Sequence, residues 1–157
     1  MHPSKMVTPP IVCGVDGSGQ SRRALHTAVR LARALDSRLE IVMAWQPSSS
    51  MYDASFPAPE RAPKVVAAGT LDEIVRDEFG DTRPDWVTVH AEPGHAGKVL
   101  VEASHSADLL VVGSRGLSEL TSPFLGSVSL YCTTQAACPV LVVRPQGEAD
   151  TETAGNS

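Results

Sequence analysis

ADLLVVGSRG, residues 107–116, decides how this chain folds. Leu109, Leu110, Val111 and Val112 follow one another without a polar residue. A strand that alternates apolar and polar positions keeps one face in water, whereas a continuous apolar run is buried on both faces and belongs in a parallel sheet covered by helices. The run predicts a strand over 108–113, and Gly113 and Gly116 mark the turn that leaves it.

Outward from this strand the same grammar repeats. Downstream, 126–137 reads as a helix and VLVVR, 140–144, as a last strand. Upstream, 97–105 reads as a helix and 86–91 as a strand. Before them, 64–79 carries Val65, Val66, Leu71, Ile74, Val75 and Phe79 as the expected apolar stripe of a helix ended by Gly80. The Ser-, Pro- and Ala-rich stretch 46–63 is expected to be a loop, with a lid as one use for it. LEIVMAW, 39–45, is a strand, and 21–35 is a helix with Ala24, Leu25, Ala28, Val29, Leu31, Ala32 and Leu35 turned inward, ended by Asp36 and Ser37. The first strand is 11–16, bounded by Pro10 and by Gly17, Ser18 and Gly19. Strands alternating with helices imply an α/β fold with a doubly wound parallel sheet and helices on both faces.

A chain of 157 residues is the size of one domain, expected at 11–145 between a flexible arm, 1–10, and a disordered polar tail, 146–157. Aromatics at 4% and a formal charge of −5 argue against stacking or phosphate-backbone surfaces, so nucleic acid is not an expected partner. No stretch has the length or apolarity of a signal peptide or a membrane span. The three cysteines, Cys13, Cys132 and Cys138, form no pairing motif, which suits a reducing compartment. The expectation is a cytoplasmic protein with no membrane partner.

Ligands of open parallel sheets lie beyond the carboxyl ends of strands. Two such places carry chemistry. Asp16-Gly17-Ser18-Gly19 sets an acidic side chain beside a turn whose glycines admit a ligand to the backbone. That Asp16 or Ser18 merely shapes the turn or caps the next helix is an equally good reading. Gly113-Ser114-Arg115-Gly116, with Gly126-Ser127-Val128-Ser129 at a helix start, offers open backbone N–H groups and the favourable potential of a helix N-terminus. This is a phosphate cradle, in which Ser127 and Ser129 can donate hydroxyl hydrogen bonds and Arg115 can add charge. A larger residue at Gly113 or Gly126 is expected to fill the phosphate space while sparing the fold.

Other signatures fail. Gly97-Lys98-Val99 has Glu92 where a P-loop needs glycine and no hydroxyl after lysine. Arg22 stands where the dinucleotide fingerprint needs glycine or alanine. Ser18 and Ser114 lack the flanking glycines of a nucleophile elbow, and His2, His26, His90, His95 and His105 show no metal-ligand spacing.

On VCGVDGS (12–18), ADLLVVGSRG, the G-x-x-G-x9-G-S pattern of Gly113, Gly116, Gly126 and Ser127, and CPVLVVRP (138–145), the chain resembles the universal stress proteins of the ATP-binding type. The resemblance spans 11–145. It implies a five-stranded parallel sheet of the adenine nucleotide alpha hydrolase-like kind, with the first and fourth strands adjacent. It places Asp16 near the adenine and ribose, with Val15, Gly17 and Ser18 as further nucleotide-binding residues, and the backbone at Ala44 on the adenine. Gly113 and Gly116 approach the ribose and phosphates, Gly126, Ser127 and Ser129 hold the phosphate chain, and Val112, Arg115 and Val128 are further nucleotide-binding residues. The implied ligand is ATP, with ADP or AMP as alternatives, together with Mg2+. The implied assembly is a homodimer through 140–143 that acts on a protein partner the sequence does not identify.

Met43 stands where many members have histidine. Glu119 and Pro123 replace glycine in the phosphate loop, where Glu119 either repels a triphosphate or helps hold Mg2+. No catalytic residue or protein-bound metal is expected. The remaining readings are a slow ATPase and a stress protein acting by protein contacts alone.

Overall fold

A computed structural model describes residues 8–47, 62–117 and 124–145. Five strands, β1 (Ile11–Gly14), β2 (Leu39–Trp45), β3 (Val87–Pro93), β4 (Leu109–Gly113) and β5 (Val140–Val143), form one sheet in the order β3-β2-β1-β4-β5. Every neighbouring pair is parallel. Four helices connect them: α1 (Gly19–Leu35), α2 (Pro63–Phe79), α3 (Ala96–Ser104) and α4 (Ser127–Gln135).

Alternation along each strand divides the core in two. Ile11, Cys13, Leu39, Ile41, Met43, Val87 and Val111 pack with Ala24, Leu25 and Ala28 of α1 and Leu71 and Ile74 of α2. Val12, Val42, Leu110 and Val112 face the other way, onto Leu100 of α3 and Cys132 of α4. β1, buried throughout, and β4, buried at Leu110, Val111 and Val112, are the double-faced strands that the apolar run at 109–112 implied. Met43 packs on the α1 and α2 side of the sheet.

Local chemistry sets the element ends. Ser18 accepts a hydrogen bond from the Ser21 N–H, so α1 starts at Gly19, two residues earlier than its apolar spacing alone marks. Asp36 ends it in the left-handed conformation, φ 50°. The expected stripe of α2 is corrected at its start: Ala67, Leu71 and Ile74, spaced four and three apart, face the sheet, while Val65 and Val66 are exposed. Leu35, at the last position of α1, is also exposed rather than inward. The arm 1–7, the loop 48–61, the segment 118–123 that holds Glu119 and Pro123, and the tail 146–157 lie outside the described residues.

With β1 and β4 adjacent, the connections from their carboxyl ends diverge to opposite sides of the sheet, which opens a crevice between them. Gly14 at the end of β1 lets α3 come close, since a Cβ there would stand 2.6 Å from Leu100. Gly97 plays the same part between α3 and the Tyr131 ring of α4.

Candidate functional site

At the β1 and β4 ends lies a cavity of about 480 Å³. It is lined by Val15, Asp16, Ala44, Val112, Gly113, Arg115, Gly116, Gly126, Ser127, Val128 and Ser129, eleven of the thirteen residues expected from the sequence. The two half-sites, 100 residues apart in sequence, meet in one place. Gly17 and Ser18 do not line it. Ser18 is buried as the α1 cap, and Gly17 makes the turn at φ +88°, which residues with a Cβ rarely adopt. Gly14, Ser21, Val42, Gln46, Ala96, Leu100 and Leu117 also line the cavity. Val42, Gln46, Ala96 and Leu100 follow from the topology, which brings α3 and the end of β2 to the crevice, and no local motif marks them.

Asp16 shapes the turn and also reaches the opposite half-site. One carboxylate oxygen accepts from the Ser18 N–H at 2.9 Å and shapes the turn. The other accepts from the Leu117 N–H at 3.3 Å and so joins the β1 end to the loop after β4. Gly116 passes so close that a Cβ would stand 2.8 Å from this carboxylate. A side chain there would force either the Asp16 carboxylate or the loop to shift.

The other end of the cavity is built around α4. Gly126 caps this helix with extended backbone and no side-chain hydrogen bond, unlike Ser18 at α1 and His95 at α3. The first N–H groups of a helix lack intrahelical acceptors, so those of Ser127, Val128 and Ser129 remain to be met by a ligand or by water. Ser127 is exposed beside them. Ser129 is 2% exposed and donates its hydroxyl to the carbonyls of Ser114 and Gly126. Of the two serines expected to donate to phosphate, Ser127 alone presents an exposed side chain.

The expectation for Gly113 is corrected. A Cβ there would meet α1, 3.1 Å from the backbone carbon and oxygen of Gln20, rather than the space expected to hold phosphate. This glycine lets the first turn of α1 press against the end of β4. At the opposite end β2 runs past its last register pair with β1, Gly14 with Val42, so that Ala44 overhangs the crevice.

Among the described residues no three His, Cys, Asp or Glu side chains stand together as a metal site, and no helix is long and apolar enough to cross a membrane. Burial pushes the Cys132 thiol up to about 11. The Cys13 thiol is raised further, first by burial and then by the charge of Glu78.

The profile of the Universal stress protein family matches residues 8–144. The chain belongs to this family. A universal stress protein of Thermus aquaticus is 32% identical over 136 residues, covering 85% of this chain and 97% of that protein. A universal stress protein of Mycobacterium tuberculosis is 34% identical over 142 residues, covering 85% of this chain and 47% of that protein. The chain thus spans about half the length of its mycobacterial relative and nearly all of the Thermus one.

Among solved structures, a universal stress protein in complex with cAMP superposes with a TM-score of 0.63 at 29% identity, covering 87% of this chain and 97% of that one. One from Archaeoglobus fulgidus, in complex with dAMP, superposes at 0.59 with 21% identity, covering 87% and 98%, and attests the fold. The five-stranded α/β architecture expected from the sequence is the architecture of this family.

Proposed function

We propose that this family member binds an adenine nucleotide in the β1–β4 crevice and works as a nucleotide-responsive regulatory protein. The observation that carries the reading is the convergence of Asp16, Gly116 and the uncapped start of α4 on one cavity. A helix N-terminus without a side-chain cap attracts anions through its open N–H groups and its dipole. The base would lie toward Ala44 and the sugar near Asp16, while the phosphates would reach Ser127 and the α4 N–H groups. The cAMP complex of the 29%-identical relative supports the ligand class.

ATP is the proposed resident ligand, with ADP, AMP and cAMP as competitors to be ranked by titration. Asp16 is the cavity's only carboxylate among the described residues. Mg2+ would therefore arrive on the phosphates of the nucleotide rather than in a protein cage. The described lining holds no lysine or histidine to act as base, so turnover is expected far below ordinary enzyme rates of about 1 per second.

A homodimer through β5 completes the proposal. The sheet has two outer strands, and they differ in chemistry. On β3, Thr88, His90 and Glu92 are exposed and Pro93 ends the strand, features that discourage edge pairing. β5, Val140–Val143, is wholly apolar and half-buried throughout. Two copies of β5 around a two-fold axis would continue one sheet into the next.

Calorimetric titration of the purified protein tests the ligand assignment. Saturable binding of ATP with Mg2+ is the expected result, and no binding at millimolar ATP, ADP, AMP and cAMP would overturn it.

A further inference from the structure

Ser114 occupies an unusual place in the hydrogen-bond pattern. Its N–H donates to Val143 O at 3.0 Å, at the end of β5. Its carbonyl accepts both the Gly126 N–H, at 2.7 Å, and the Ser129 hydroxyl, at 2.9 Å. Its own hydroxyl donates to Gln20 Oε1 at 2.9 Å, in the first turn of α1. One residue at the exit of β4 is thereby tied to β5, α4 and α1, and it is 5% exposed.

Ser129 has a single hydroxyl proton, and the carbonyls of Ser114 and Gly126 share it at 2.9 and 3.0 Å. That leaves no proton to donate to a phosphate oxygen. Resting on the nucleotide reading above, we infer that Ser129 and Gln20 are positioning residues, whose side chains hold Ser114 between α4 and α1 and so set the phosphate end of the crevice without themselves touching the ligand. Both bonds onto the Ser114 carbonyl fix the start of α4 against the loop carrying Gly113 and Gly116. The Gln20 bond fixes the same residue from the far side of the sheet. If either tie goes, the loop and the α4 N–H groups no longer converge on one anion, while the base end, around Ala44, keeps its geometry.

The test measures dissociation constants for adenosine and for Mg-ATP, by competition, on the full chain and on Ser129→Ala, Gln20→Leu and their double variant. Each single change is expected to weaken ATP by about fivefold, the worth of one neutral hydrogen bond, and to leave adenosine unchanged within about twofold. Ser129→Thr, which restores the hydroxyl, is expected to recover ATP affinity.

Because both ties act on Ser114, the loss in the double variant should be smaller than the product of the two single losses. Losses that multiply would mean that the Ser129 hydroxyl contacts the phosphates itself. Equal losses for adenosine and ATP would reduce the ties to general structure, and an unchanged ATP affinity in Gln20→Leu would remove Gln20 from the device. A parent protein that binds neither ligand would overturn the nucleotide reading and the positioning role with it.

Discussion

Ser127 and Ser129 lie two positions apart in the first turn of α4, yet one is exposed and the other is 2% exposed with its proton engaged. Sequence spacing sets both at the end expected to hold phosphate, and burial separates them. Ser127→Ala should cost nucleotide affinity about 1 to 3 kcal/mol with little change in melting temperature, measured by titration and thermal unfolding. Gly113→Ala should do the reverse: its Cβ meets the Gln20 backbone at 3.1 Å, so stability should fall by about 1 to 3 kcal/mol through overpacking.

The thiols give a further test at this scale. Cys13 and Cys132 are buried and raised by burial, whereas Cys138 is partly exposed, so a thiol reagent at pH 8 should label Cys138 first and the others only on unfolding. A thiol that ionises near its ordinary 9.0 when unfolded and near 11 when folded withdraws stability as pH rises between those values. Cys132→Ala should flatten the alkaline limb of the stability profile over that range.

At the scale of elements, the readable signals were continuous apolar runs and glycine punctuation, and the errors fell where such signals overlap. The start of α1 was hidden in the sequence because Asp16, Gly17 and Ser18 suit a ligand turn and a cap equally well. The structure gives Ser18 to the cap, and Asp16 both turns the chain and reaches Leu117. Val65 and Val66 looked like core because they are apolar, but the spacing that faces the sheet begins at Ala67. Ser18→Ala should therefore lower stability by about 1 kcal/mol through the lost cap, measured by denaturant unfolding. Gln20 and Ser114 were not legible as partners, since their contact depends on α1 packing against the end of β4, 94 residues away in sequence.

At the scale of the whole molecule, the strand order could be inferred only through family resemblance, because alternating elements do not specify which strands are neighbours. That order makes β5 an edge and the β1–β4 gap a crevice. Val142→Lys, which places charges near each other across the proposed two-fold axis, should convert a dimer to a monomer by light scattering. A variant that remains fully dimeric would assign assembly to another surface.

The central claim is that one crevice, built from the ends of β1, β2 and β4 and the start of α4, holds an adenine nucleotide in a single orientation. A crystal structure of the protein grown with Mg-ATP tests it most directly. The account predicts the base against the Ala44 backbone, the ribose beside Asp16, and a phosphate on the N–H groups of Ser127 to Ser129. A nucleotide bound elsewhere on the chain, or in the crevice with its phosphates toward Ala44 and its base against α4, would contradict it.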